Sequence, residues 1–247
     1  MILSHKHKFI LFCNPKTGST SLEKTLEPYQ EGQEYNYGVR QFNKGEPQTI
    51  LFPNKHIPPL LLKAWLPKEI WDSYYKIVFV RNPWDWVVSE WKYHFKLKKV
   101  SVMDLIKEPV TTARYLKNYQ HKKRLNNKQV FTVEDIDYLF DHLKRWFPVT
   151  PSASGLHQSH YVYDLDGNQI VDFVGRFENL EADFELIKEK LDLDISLPHL
   201  NRTKRNRYKT YFTEDSNQRV AQLWKKDIDN FGYKFNCCFT TELESKS

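Results

Sequence analysis

An α/β fold with a central, mostly parallel sheet flanked by helices is what the sequence predicts, and three observations lead there. Short runs of β-branched and aromatic residues alternate with segments whose apolar residues recur at helical spacing, the order expected of a parallel sheet covered by helices. The run Phe9-Ile10-Leu11-Phe12-Cys13 ends in the small-residue stretch Asn14 to Ser21 and restarts as a helix. The run Tyr75-Lys76-Ile77-Val78-Phe79-Val80 is followed at once by Arg81-Asn82-Pro83, in which Asn82 suits a helix cap and Pro83 the first helical position.

Taken in order, the expected elements are a strand over 8–13, a helix over 20–27, a strand near 48–52, a helix over 59–65, a strand over 75–80 and a helix over 83–97. In the last of these, Trp84, Val87, Val88, Trp91 and Phe95 recur at helical spacing and face inward, with Ser89 near the edge of that face. Residues 28–47, rich in Gly, Gln, Asn and Tyr, form a surface excursion beside the cleft. Thr132 caps an amphipathic helix marked by Ile136, Leu139, Phe140, Leu143 and Phe147 and stopped by Pro148. Tyr161 to Tyr163 and Ile170 to Val174 read as a hairpin turned by Asp166-Gly167. Leu180, Phe184, Ile187 and Leu191 make one helical stripe, and Val220, Leu223, Trp224, Ile228 and Phe231 make another, ended by Gly232.

The 247 residues, 40% hydrophobic and 15% aromatic, suffice for one sizeable core and fit a single domain over 1–247. No apolar run approaches the roughly 20 residues that span a bilayer. Met1 to Lys8 lack an apolar region followed by a cleavage site, so a cytoplasmic chain is expected. Three cysteines, two of them adjacent at Cys237 and Cys238, give neither a disulfide framework nor metal-ligand spacing, and reduced thiols are the expectation. With 37 Lys and Arg against 31 Asp and Glu, the net charge of +6 favours anionic partners. Basic runs at His121 to Arg124 and Arg202 to Lys209 have aromatic neighbours, but no nucleic-acid motif accompanies them, so nucleic acid is not an expected partner.

The segment Asn14-Pro15-Lys16-Thr17-Gly18-Ser19-Thr20-Ser21 carries the most chemistry. A strand that ends in a small-residue turn and restarts as a helix aims backbone N–H groups and the positive helix end at one point, where an anion can sit. An ordinary turn capped by Ser or Thr is the plain alternative. A nucleoside triphosphate loop has its Lys after the glycines, in the order Gly-x-x-x-x-Gly-Lys-Ser/Thr, whereas Lys16 precedes Gly18. Arg81 at a strand end and Ser89 on the following helix are placed to grip one phosphate together.

The Pro-Lys-Thr-Gly-x-Thr-Ser order resembles the 5′-phosphosulfate loop of sulfotransferases, which use 3′-phosphoadenosine 5′-phosphosulfate (PAPS) as donor. Phe79-Val80-Arg81-Asn82-Pro83-Trp84-Asp85 with Val88-Ser89 resembles their 3′-phosphate motif. Val171 to Leu180, Leu197 to Asn201 and Lys226 to Tyr233 are similar to later blocks of the carbohydrate-type members, the chondroitin and heparan O-sulfotransferases and their shorter bacterial relatives. The resemblance spans nearly the whole chain and departs at Asn14, Ser19 and Trp86. It implies a three-layer P-loop-NTPase-like fold, PAPS as the anionic nucleotide donor, no metal, and a hydroxyl-bearing acceptor, in that family a glycan. It also implies that Lys16, the N–H groups of Thr17, Gly18, Ser19 and Thr20, and the hydroxyls of Thr20 and Ser21 hold the sulfonated end. Arg81 and Ser89 then take the 3′-phosphate, and Arg202, Thr203 and Lys204 add phosphate contacts from a loop that closes over the donor.

Sulfuryl transfer to a hydroxyl needs a group to offset charge on the departing phosphate oxygen and another to take the acceptor's proton. Lys16 suits the first as a mobile point charge. For the second, His56 in Asn54-Lys55-His56-Ile57-Pro58-Pro59 follows an expected strand, and open α/β sheets build sites at the carboxyl ends of strands. Lys-His-x-Pro resembles the base-bearing segment of the family, with His157, His160 and His199 in reserve. An ATP-dependent phosphotransferase and a noncatalytic anion- or glycan-binding protein are the alternatives.

Overall fold

The computed structural model describes residues 1–31, 39–43, 46–50, 56–64, 66–97, 106, 116, 118–146, 156–197 and 208–235. Its centre is a four-stranded sheet of β1 (Ile2–Ser4), β2 (Phe9–Phe12), β5 (Tyr75–Val80) and β6 (Phe173–Arg176), in that order. β1 runs antiparallel to β2, while β2, β5 and β6 are parallel, with Phe12 opposite Val78 and Val80 opposite Arg176. The carboxyl ends of β2 and β5 therefore lie side by side, and both sequence motifs begin there.

Alternation along the strands makes two cores. Ile10, Phe12, Val78 and Val80 point to one face, where they pack with Trp84, Val87, Trp91, Leu139 and Trp224. Phe9, Leu11, Ile77 and Phe79 point to the other and meet Leu22, Leu26, Phe184 and Ile187. The first face is covered by α4 (Pro83–His94), α6 (Val133–Trp146) and α8 (Glu214–Leu223), the second by α1 (Ser19–Leu26) and α7 (Leu180–Leu191). Helices thus lie on both faces of the sheet.

Local chemistry sets the helix ends. Asn82 Oδ1 accepts from the backbone N–H of Trp84 at 3.1 Å and Asp85 at 3.5 Å, with Pro83 in the first turn, as expected of that dipeptide. Thr132 Oγ1 accepts from Asp135 N, and the Asp135 carboxylate accepts from Thr132 N at 3.0 Å, which starts α6. The final stripe is two helices rather than one, because the chain turns at Trp224 between α8 and α9 (Lys225–Phe231) before Gly232 ends it at φ 65°.

Two expectations are corrected. The strand near 48–52 is β4 (Glu46–Ile50), which pairs antiparallel with β3 (Val39–Asn43) in a separate two-stranded sheet and adds nothing to the central one. The excursion over 28–47 therefore contains a strand. The hairpin over 161–174 reduces to one antiparallel bridge, Tyr163 to Gln169, with Gly167 at φ 86°, because Phe173 and Val174 pair with β5 instead. The helix over 59–65 is α2 (Pro59–Lys63), followed by α3 (Lys68–Ser73) and α5 (Tyr119–Asn126) further on. No described helix is long and apolar enough to cross a membrane.

Candidate functional site

Beyond β2 the chain turns sharply, and the turn is held by its carbonyl groups. Four consecutive carbonyl oxygens each meet a side-chain atom. Cys13 O lies 2.6 Å from His56 Nδ1, and Asn14 O accepts from Thr17 Oγ1 at 2.9 Å. Pro15 O accepts from the indole N–H of Trp86 at 3.0 Å, and Lys16 O from Arg81 Nη1 at 2.8 Å. Two of these clamps come from α4 and the strand end before it, so the turn is fastened to the neighbouring strand–helix junction. Lys16 at φ 60° and Gly18 at φ 84° supply the left-handed conformations that the tight reversal needs.

These side-chain partners account for the carbonyls of the turn and leave its amides to be considered. Ser21 N and Leu22 N donate to Gly18 O, but no hydrogen bond within the described residues occupies the amides of Thr17, Gly18, Ser19 and Thr20. Successive unpaired N–H groups at a helix start are suited to an anion, and the helix dipole favours the same charge. Thr17 and Ser19 are buried, Ser21 is half-buried and Thr20 is exposed. Gly18 packs closely: a Cβ there would stand 3.1 Å from Leu180 Cδ2 and 3.3 Å from Phe177 Cδ2.

Arg81, only 2% exposed, closes the junction. Its Nε and Nη2 donate to Asp85 Oδ2 at 2.8 and 2.6 Å, and its guanidinium lies 4.1 Å from the centre of the Phe177 ring. Ser89, on the next turns of α4, is buried. Lys16 and Arg81, from motifs 65 residues apart, are therefore in direct contact.

His56 follows β4, but β4 is no part of the central sheet, so the carboxyl end of a central strand does not place this residue. Its imidazole binds Cys13 O at the end of β2, and its carbonyl accepts from Tyr161 OH at 2.6 Å. Because a carbonyl can only accept, Nδ1 carries the proton and the neutral ring has its lone pair on Nε2. Burial pushes the Cys13 thiol up to about 12 and raises the Tyr161 hydroxyl as well, so neither ionises in the working range.

The profile of a family described as "Sulfotransferase family" matches residues 1–234. The chain belongs to the sulfotransferase family. No curated protein and no solved structure matches it.

In this sulfotransferase the two strand ends are joined by a residue that sequence reasoning passed over. Gln158 Oε1 accepts from Arg81 N at 2.7 Å and from Asn14 Nδ2 at 3.4 Å, while its Nε2 donates to Arg81 O at 2.7 Å. Asn14 Nδ2 also donates to Phe79 O at 2.9 Å, so the departure at Asn14 serves as a strand-to-strand tie. Gln158 is itself fixed by the fully buried Asp227, which accepts from Gln158 N, Ser159 N and Ser159 Oγ at 3.0, 2.8 and 2.5 Å. Asp227 lies in the late motif Lys226 to Tyr233, whose part here is to brace the site from behind. Glu178, in another late motif, accepts from Asn82 N at 2.6 Å and Tyr233 OH at 3.1 Å.

His157 and His160 flank that brace, with His157 Nδ1 3.8 Å from Asp227 Oδ2. Arg202, Thr203 and Lys204, as well as His199, lie outside the described residues, as do Cys237 and Cys238. Among the described residues no group of three or more His, Cys, Asp or Glu side chains is placed to hold a metal ion.

Proposed function

We propose that this sulfotransferase is a PAPS-dependent O-sulfotransferase, a single domain over 1–247 with a P-loop-like fold, acting on an acceptor hydroxyl carried by a carbohydrate. The observation that carries the reading is the clamped turn: side chains fix four carbonyl oxygens beside a run of amides that opens α1 and has no hydrogen-bond acceptor among the described residues, next to a lysine. Such preorganised donors stabilise charge without reorganising as it develops.

The sulfonated end of the donor then rests on the N–H groups of Thr17, Gly18, Ser19 and Thr20, with the hydroxyls of Thr20 and Ser21 beside them. His56 Nε2 takes the acceptor's proton as the acceptor oxygen bonds to sulfur. The bond from sulfur to the bridging phosphate oxygen breaks in line, and the Lys16 ammonium offsets the charge left there; removing a donor of this kind typically costs about 2.7–4 kcal/mol of transition-state stabilisation. Arg81 and Ser89 take the 3′-phosphate, with Arg202, Thr203 and Lys204 as further phosphate contacts. Arg81 has a second duty in this scheme, since its guanidinium bridges Asp85 and Lys16 O and so ties the two halves of the nucleotide site together.

The test is incubation with PAPS labelled in its sulfo group and a panel of saccharide, phenol and lipid-headgroup acceptors, followed by mass spectrometry of the products. Label on a saccharide hydroxyl supports the proposal in full. Label on phenols alone would retain the donor and reject the acceptor class, and no transfer to any acceptor would favour a noncatalytic binding protein.

A further inference from the structure

The Lys16 side chain has a partner outside the clamps described above. Its Nζ lies 4.3 Å from the centre of the Tyr93 ring, a cation–π distance, and Tyr93 is 64% exposed. Among the residues of α4 described as buried are Trp84, Trp86 and Trp91, so the exposed ring of Tyr93 contributes little to the core. Its position on the helix is informative. Trp86 holds Pro15 O, yet the ammonium of the very next residue rests on a ring seven residues further along α4, roughly 10 Å of helix axis. The carbonyl of Lys16 is meanwhile held by Arg81, before α4 begins. The Lys16 side chain therefore runs along α4, whereas the unoccupied amides belong to the start of α1.

We propose that Tyr93 is a positioning residue for Lys16, its ring face being the resting seat of the ammonium. Lys16 leaves the seat when an anionic phosphate oxygen enters the cradle, and it returns when that anion departs. The inference rests on the reading of the cradle as the donor site.

An exposed cation–π contact is weak, whereas an ammonium hydrogen-bonded to an anion makes one of the stronger polar contacts. The donor therefore wins the ammonium, but its affinity is lowered by the stability of the seat, because a competent state that is only partly populated binds correspondingly less tightly. The same factor weakens the departing nucleotide. Where product release limits turnover, a seat that recaptures the ammonium speeds the cycle. The contact strength corresponds to about a two- to fivefold effect on binding.

Two measurements on the full chain test this. In calorimetry with adenosine 3′,5′-bisphosphate, Tyr93→Leu removes the ring and is expected to bind about two- to fivefold more tightly than wild type, while Tyr93→Phe keeps the ring face and matches wild type. In NMR of reductively ¹³C-methylated lysines, with Lys16 identified through Lys16→Arg, the Lys16 methyl signal is expected upfield in the free protein. It should move downfield when the bisphosphate is added, and should start downfield in Tyr93→Leu. A merely structural role predicts neither tighter binding nor a ring-current signal released by nucleotide. Unchanged or weaker binding by Tyr93→Leu, or a Lys16 signal that stays upfield in the complex, overturns the seat alone. Failure of the wild-type protein to bind the bisphosphate overturns the donor-site reading together with it.

Discussion

His56 Nδ1 stands 2.6 Å from the carbonyl oxygen of Cys13, so one imidazole both anchors the turn after β2 and has its tautomer set by that anchor. The two duties separate by substitution. His56→Asn keeps an N–H near the Nδ1 position and removes the proposed base. The expected result is a fall in kcat of about 10²–10⁴-fold with the affinity for adenosine 3′,5′-bisphosphate retained, whereas His56→Ala shows the same fall and also weakens that affinity. Full turnover by His56→Asn in a PAPS transfer assay would move the proton acceptor to another residue.

Trp86 tests the clamp from the other side. Its indole is fully buried against Trp224, with ring centres 5.9 Å apart, and its N–H is the partner of Pro15 O. Trp86→Phe keeps an aromatic ring in the core and deletes the donor. Calorimetry should show bisphosphate binding weakened about three- to tenfold, the scale of a net hydrogen bond of about 0.5–1.5 kcal/mol. A lowered Tm with unchanged affinity would reduce Trp86 to packing.

Gly175 of β6 lies opposite Phe79 of the parallel strand β5, and an added Cβ would overlap the buried Phe79 ring. Gly175→Ala is therefore expected to destabilise the fold by about 1–3 kcal/mol through overpacking. Thermal unfolding should show Tm lower by about 2–4 °C for each kcal/mol lost. An unchanged Tm would mean that β6 does not sit at this register.

Cys13 gives the pH dependence. Burial raises its thiol from 9.0 to about 12, so as pH rises the unfolded chain sheds this proton before the folded one does. The unfolded state then binds fewer protons, and stability falls with increasing pH across that window. Burial raises the Tyr161 and Tyr233 hydroxyls as well, which adds to the same trend at higher pH. Denaturant unfolding at pH 8 and 10.5 should show a smaller alkaline loss for Cys13→Ala than for wild type. Peptide mapping after alkylation at pH 8 should find Cys13 unmodified until the chain unfolds; ready labelling of the folded protein would contradict its burial.

Much of the fold is legible in the sequence because its signals are local. Phe9 to Phe12, Tyr75 to Val80 and the stripe from Leu180 to Leu191 carry their period in consecutive residues, and Asn82-Pro83 carries its cap. β1 escapes because Ile2-Leu3-Ser4 is too short for any period to emerge. β4 misleads, since a strand-like run cannot say which sheet it joins. The turn at 14–21 and Arg81 are legible as motifs, and the site places them against each other. Gln158 is not legible: it works through Asn14, 144 residues away, and nothing in its neighbours announces a side chain that spans two strand ends. His56 reaches the site by a different physical route from the expected one, through Cys13 O rather than a sheet strand.

The central claim is that the clamped turn is built for a bisphosphorylated adenosine and not for a triphosphate. Calorimetry of adenosine 3′,5′-bisphosphate without metal against MgATP tests it most directly. Tighter binding of the bisphosphate, lost when Lys16 and Arg81 are both replaced by Ala, is the predicted result. Tighter binding of MgATP would contradict the account.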